Sequence, residues 1–221
     1  MVEAVIFNMD GTLIQRNRSY DEIYEEAIEK SGIDELKNKY SDYQEAFFRF
    51  FKQNYVFPRR QAAEFLLKKE GVFRDDKVER FVEAWEEAES DSFVLKEGLE
   101  EVIENLKQDG YLLGVTSNGT GELQRMKLEK LGIKDFFDSI IIASEVGYSK
   151  PEEEFFKEVK NSLPNAERFF MVSHLPKTDI IGGKRAGLKP IWINESRTEE
   201  SIGDADIIND LRDLPQKLRD I

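Results

Sequence analysis

The sequence has no cysteine and a single histidine in 221 residues. Without thiols there is no disulfide framework, no thiolate metal centre and no cysteine nucleophile. One imidazole cannot build a histidine-rich zinc site. Basic residues are outnumbered, 32 Lys and Arg against 45 Asp and Glu, for a formal charge of −13. That balance excludes a general nucleic-acid binder, which needs basic surface to neutralise phosphates. No run of 18 apolar residues occurs, so no membrane span is expected. The opening MVEAVIFNMDG has no basic lead and no small-residue cleavage site, so it does not read as a signal peptide. A soluble, cytoplasmic protein is expected, and the missing cysteine is compatible with a reducing compartment. Nothing in the sequence speaks to oligomeric state.

Several short runs rich in Val, Ile and Phe lack strict alternation, the pattern of parallel strands buried on both faces. They are 4–9, 111–117, 139–144, 169–173, 190–194 and a weaker 206–208. Helical stretches lie between them. Residues 99–108 put Val102, Ile103 and Leu106 on one face, and 121–131 put Leu123, Met126, Leu128 and Leu131 inward before Gly132. Residues 152–160 follow Pro151, and 178–186 end at Gly187. Strands alternating with helices predict an α/β fold with a parallel sheet.

Residues 15–91 differ. Helical periodicity dominates in 20–30, 34–51, 60–69 and 76–89, with no convincing strand, and 14 of the 25 aromatic residues fall here, Phe47, Phe48, Phe50, Phe51 and Phe57 clustered among them. Aromatics at helical spacing are mostly packing, with one or two left over for a cleft. The expected organisation is one α/β domain, 1–14 with 92–221, carrying a helical domain, 15–91, inserted after the first strand.

Four segments carry candidate chemistry. The first strand ends in Asn8-Met9-Asp10-Gly11-Thr12, where alternation points Asn8 and Asp10 the same way and Gly11 allows a turn. Ligands of parallel sheets sit beyond such strand ends. A second strand ends in Ser117-Asn118-Gly119, which suits an anion at a helix start or an ordinary N-cap. Lys150 precedes Pro151 and, alone, reads as a surface lysine. Ser173 and His174 close another strand, and Asp179 stands where it could cap a helix.

In this order and spacing the segments resemble the haloacid dehalogenase-like (HAD) hydrolase superfamily along the whole chain. FNMDGTL is similar to its first motif, FDxDGTL; Ser117 matches the second, Lys150 the third, and SHLPKTD stands where the fourth reads GDxxxxD. The resemblance implies a three-layer Rossmann-like core and identifies the helical insert as the α-helical cap of phosphoglycolate-type phosphatases, β-phosphoglucomutases and haloacid dehalogenases. It also implies a phosphomonoesterase that works through an aspartyl-phosphate. Asp10 would be the general acid and base. Thr12, Ser117, Asn118 and Lys150 would hold the phosphoryl group, and magnesium would sit at positions 8, 10, 174 and 179.

Two of the implied acids are missing. Asn8 replaces the nucleophile, and an amide cannot attack phosphorus. His174 replaces an acid of the fourth motif and is a poor ligand for a hard cation. Of the four metal positions (Asn8, Asp10, His174, Asp179) only two are acidic, so weak or no magnesium binding is expected, and little or no phosphatase activity. Asn8 is read as natural loss rather than a deliberate Asp-to-Asn change, because His174 is a second departure with no design purpose. Three functions compete: an impaired phosphomonoesterase, a non-catalytic descendant that binds a phosphorylated or carboxylated metabolite or a protein, and a metal-independent dehalogenase-like enzyme, to which Ser173 and His174 also point. A small phosphorylated or carboxylated metabolite is the expected partner; nucleic acid and membrane are not. Arg16, Arg18, Arg59 and Arg60 are candidates for meeting an anionic ligand tail, or are solvated surface groups. The insert carries 14 basic and 19 acidic residues, so it is no basic clamp.

Overall fold

The computed structural model describes residues 2–51, 58–198 and 202–221. Its contacts divide the chain into two compact units, 1–15 with 94–221, and 16–93.

The first unit is built on a six-stranded parallel sheet. Its strands are β1 (Glu3–Asn8), β4 (Leu112–Ser117), β5 (Ser139–Ile142), β6 (Arg168–Ser173), β7 (Lys189–Ile193) and β8 (Asp206–Ile208), in the order β5-β4-β1-β6-β7-β8. β1 is central and pairs in register with both neighbours, Asn8 opposite Thr116 and Phe7 opposite Val172. Ala4, Val5, Ile6 and Phe7 are all fully buried, so both faces are covered, which is why these runs show no alternation. On one face Phe155, Phe156 and Val159 of α8 (Glu153–Ser162) pack against Ala4, Ile6 and Met171. The other connecting helices are α5 (Leu99–Gln108), α6 (Gly121–Lys130), α7 (Ala143–Val146) and α9 (Ile181–Arg185), with α10 (Leu214–Arg219) at the end.

Among the described residues the second unit has four α-helices, α1 (Tyr20–Ser31), α2 (Tyr40–Phe51), α3 (Arg59–Lys69) and α4 (Asp75–Asp91). The Ser19 backbone N–H donates to the Glu22 carboxylate at 2.8 Å, half of a capping box that starts α1. The core is aromatic: Tyr24, Tyr43, Phe81 and Trp85 are buried in mutual ring contact, Tyr43 stacking on Trp85 at 5.0 Å. The Tyr24 hydroxyl is satisfied by Leu36 O at 2.8 Å.

Several elements depart from the sequence reading. The expected helix 34–51 is two pieces, a 3-10 turn Asp34–Leu36 and then α2, because Asn38 adopts a left-handed conformation, φ 59°, that no helix continues through. Of the clustered phenylalanines, Phe47 is partly buried and packs against the core of the second unit while Phe48 is exposed; the Phe51 and Phe57 side chains lie outside the described residues. β5 stops at Ile142 and turns into α7, capped by left-handed Gly147. The expected helix 178–186 opens as a wide turn, Pro176–Ile180, before α9. Two short strands, β2 (Ile14–Arg16) and β3 (Phe93–Leu95), pair with each other; three residues are too few to register as a period.

On α6 the inward face is not the expected Leu123, Met126, Leu128 and Leu131. Leu128 is buried, but its companions are Gln124 and Lys127, while the other three are half-buried. That end of the helix faces polar groups at the carboxyl ends of β1 and β4.

Candidate active site

β4, β1 and β6 are adjacent, so their last residues, Ser117, Asn8 and Ser173, end side by side. Asn8 is buried, at 4 % exposure. Its Oδ1 accepts from Lys150 Nζ at 2.8 Å, and its Nδ2 donates to the Asp10 carbonyl at 2.7 Å. Lysine offers only donors, so the amide oxygen must be the atom facing Lys150, and that fixes the NH2 on Asp10 O.

Lys150 is buried as deeply. Besides Asn8 its ammonium donates to Asp179 Oδ2 at 2.9 Å and reaches Thr116 Oγ1 at 3.5 Å. Burial pulls this ammonium below its ordinary value; the Asp179 carboxylate, and Asp10 further off, oppose that pull. Asn118 grips the Lys150 backbone from both sides: Nδ2 donates to the carbonyl and Oδ1 accepts the N–H, each at 2.9 Å. Its side chain is spent on holding Lys150. Ser117 Oγ accepts from the Gly119 N–H at 3.1 Å, which leaves the hydroxyl proton for another acceptor.

Asp179 is fully buried and well satisfied. Lys150 and Ser173 (2.8 Å) share its Oδ2, and Thr178 donates to Oδ1 at 2.7 Å. His174 bonds elsewhere. Its backbone N–H donates to Thr12 Oγ1 at 3.4 Å, so the hydroxyl proton is free for the ring Nδ1, 3.1 Å away. The ring lies on Gly11, where φ is +76° and a Cβ would stand 2.3 Å from His174 Cε1. Only glycine fits there. Burial lowers the imidazole's affinity for a proton, against the pull of Asp179.

Asp10 is more open than Asn8, Lys150 and Asp179, its side chain 44 % exposed. Its Oδ1 accepts from Lys127 Nζ at 2.8 Å. Lys127 was not expected at the site. The available signal was its spacing, three residues after Gln124 and beside Leu128 on one helical face. Thr116 and Thr178 were also missed. The four arginines lie in the helical unit, each on a carboxylate of that unit: Arg16 and Arg59 on Glu89, Arg18 on Glu26 and Arg60 on Glu79. Among the described residues no three His, Asp or Glu side chains come together as a set able to hold a metal ion, and no helix is long and apolar enough to cross a membrane.

A model of the family described as haloacid dehalogenase-like hydrolase matches residues 5–193. The chain belongs to that family. Among curated relatives it is 34 % identical over 110 residues to the pyrimidine 5'-nucleotidase YjjG of Escherichia coli, covering 48 % of this chain and 49 % of that one. It is 38 % identical over 122 residues to the glyceraldehyde 3-phosphate phosphatase of Methanothermobacter thermautotrophicus, covering 52 % and 54 %. Both matches span about half the length of the relative. Among solved structures, YfnB of Bacillus subtilis with bound magnesium superposes with a TM-score of 0.66 at 23 % identity over 99 % of both chains. That likeness is one of fold.

Proposed function

We propose that this family member binds a small phosphorylated or carboxylated metabolite beyond the ends of β4, β1 and β6, and does not hydrolyse it through an aspartyl-phosphate. The names of the two curated relatives support a phosphorylated metabolite. The carrying observation is Asn8, whose amide is held by Lys150 and the Asp10 carbonyl where the family's attacking carboxylate belongs. An amide carries no negative charge, its nitrogen lone pair is delocalised into the carbonyl, and its oxygen is too weak a nucleophile to attack phosphorus.

Magnesium does not fit these residues. The Asn8 NH2 points at the Asp10 carbonyl, one of the oxygens a cation would need. The position 174 donor is an imidazole, a poor partner for a hard cation, and Asp179 already accepts from Lys150, Ser173 and Thr178. A cytoplasmic setting fits the cysteine-free composition. The Ser173–Asp179–Lys150 hydrogen-bond chain is compatible with a metal-independent dehalogenase-like reading, but that chemistry too lacks its nucleophile.

The test is hydrolysis of an aryl phosphate with excess Mg²⁺ by the unmodified chain and by Asn8→Asp/His174→Asp. Turnover is expected only in the double variant. Robust Mg²⁺-dependent turnover by the unmodified chain overturns the proposal.

A further inference from the structure

Two lysines of the α/β unit are almost completely buried, Lys127 at 4 % and Lys150 at 3 % exposure. An ammonium group taken out of water is costly unless a carboxylate meets it. Each has one: Lys127 on Asp10 at 2.8 Å and Lys150 on Asp179 at 2.9 Å. The two pairs are not alike. Asp179 is itself fully buried and needs its lysine. Asp10 is nearly half exposed, so water alone would satisfy it, and an apolar side chain on α6 would pack beside Leu128 without burying a charge. The Lys127 ammonium thus stands beside Asp10 just past the end of β1. Lys150 Nζ is held between Asn8 Oδ1 and Asp179 Oδ2, with Thr116 Oγ1 at 3.5 Å.

The Asn8 amide ties position 8 to the Asp10 carbonyl, and the Thr12 hydroxyl ties the first loop to the His174 ring. The two carboxylates that remain are matched by two ammonium groups, leaving no excess negative charge to attract a divalent cation.

We propose that Lys127 and Lys150 balance the two carboxylates left at the site, Asp10 and Asp179, so that a phosphate group is taken up there with no metal. This rests on the binding reading given above. Lys127 acts through Asp10 and at a distance, as a positioning residue; Lys150 and Ser117 are the groups nearest the expected oxyanion.

The experiment is isothermal titration of inorganic phosphate into the full chain, once in EDTA and once in excess MgCl2. Equal affinity in the two buffers, within about twofold, is expected. Lys127→Met should bind about tenfold more weakly in both, the loss of one partly screened charge, and Lys127→Arg should recover most of it. Circular dichroism establishes that each variant is folded, and if Lys127→Met does not fold, the comparison of buffers on the unmodified chain decides alone. Binding that appears only with Mg²⁺ overturns this inference and leaves the binding reading standing. So does a folded Lys127→Met that binds as tightly as the parent. No binding in either buffer overturns the binding reading, and this inference with it.

Discussion

Asn8→Asp is the substitution whose outcome the geometry specifies most sharply. It changes one NH2 to an oxygen at a position that is 4 % exposed. The amide Nδ2 donates to the Asp10 carbonyl at 2.7 Å; a carboxylate cannot donate, and it brings two acceptor oxygens face to face at that separation. The hydrogen bond itself is worth about 1 kcal/mol, and leaving the Asp10 carbonyl unsatisfied beside a second acceptor costs about 1–3 kcal/mol more. Lys150, already 2.8 Å from Oδ1, would then face a charged partner and return about 1 kcal/mol. The net is a destabilisation of about 1–3 kcal/mol in the absence of metal, which for a chain of this length lowers the melting temperature by roughly 2–10 °C. A divalent cation seated between the new carboxylate and the carbonyl would relieve the opposition, so Mg²⁺ should restore part of the loss by mass action. The assay is thermal unfolding by circular dichroism of parent and variant, in EDTA and in MgCl2 matched for ionic strength. Only the variant should respond to Mg²⁺. A variant that melts at or above the parent in EDTA, or a parent that gains as much from Mg²⁺ as the variant does, refutes the reasoning.

Two further outcomes follow from the buried charges. Lys150→Met strands the fully buried Asp179 with only Ser173 and Thr178, and should cost about 3–5 kcal/mol in urea unfolding; a loss below about 1 kcal/mol would mean that the pair is not held as described. His174 is the one histidine in the chain, so a single imidazole resonance reports it. Burial holds its pKa below the ordinary 6.5. The unfolded chain therefore takes up the proton first, and the stability this group contributes is complete above about pH 6.5 and lost as the pH falls below it. A titration midpoint above about 6.5 would reverse that sign.

The sheet was legible because β1, β4, β6 and β7 are continuous apolar runs with no competing period, and a strand buried on both faces has no other pattern to show. Asn38, Ile142 and Pro176 were harder. Asn38 splits a helix through its left-handed backbone, and the changes at Ile142 and Pro176 fall within runs whose composition, averaged over a window, does not resolve them. At the site, the order of residues along the chain located the strand ends carrying Asn8, Ser117 and Ser173. It did not reveal that Asn118 would spend its amide on the Lys150 backbone, or that Asp10 would be held from α6. Both depend on side-chain direction across elements distant in sequence: Lys127 meets Asp10 across 117 positions. An amphipathic reading of α6 favours its leucines, and the polar inward face makes sense only once Asp10 is known to stand opposite.

The adjacency of β4, β1 and β6 sets a gauge. Neighbouring strands in a sheet lie about 4.8 Å apart, so the ends of the three strands span roughly 10 Å, a width fixed by backbone hydrogen bonds rather than by any loop. On the proposed reading, one tetrahedral group would fill such a slot, and whatever distinguishes one phosphorylated metabolite from another would project away from the strand ends. Recognition of a common head group and discrimination among tails would then be separable tasks. Selection can rewrite the second without disturbing the first.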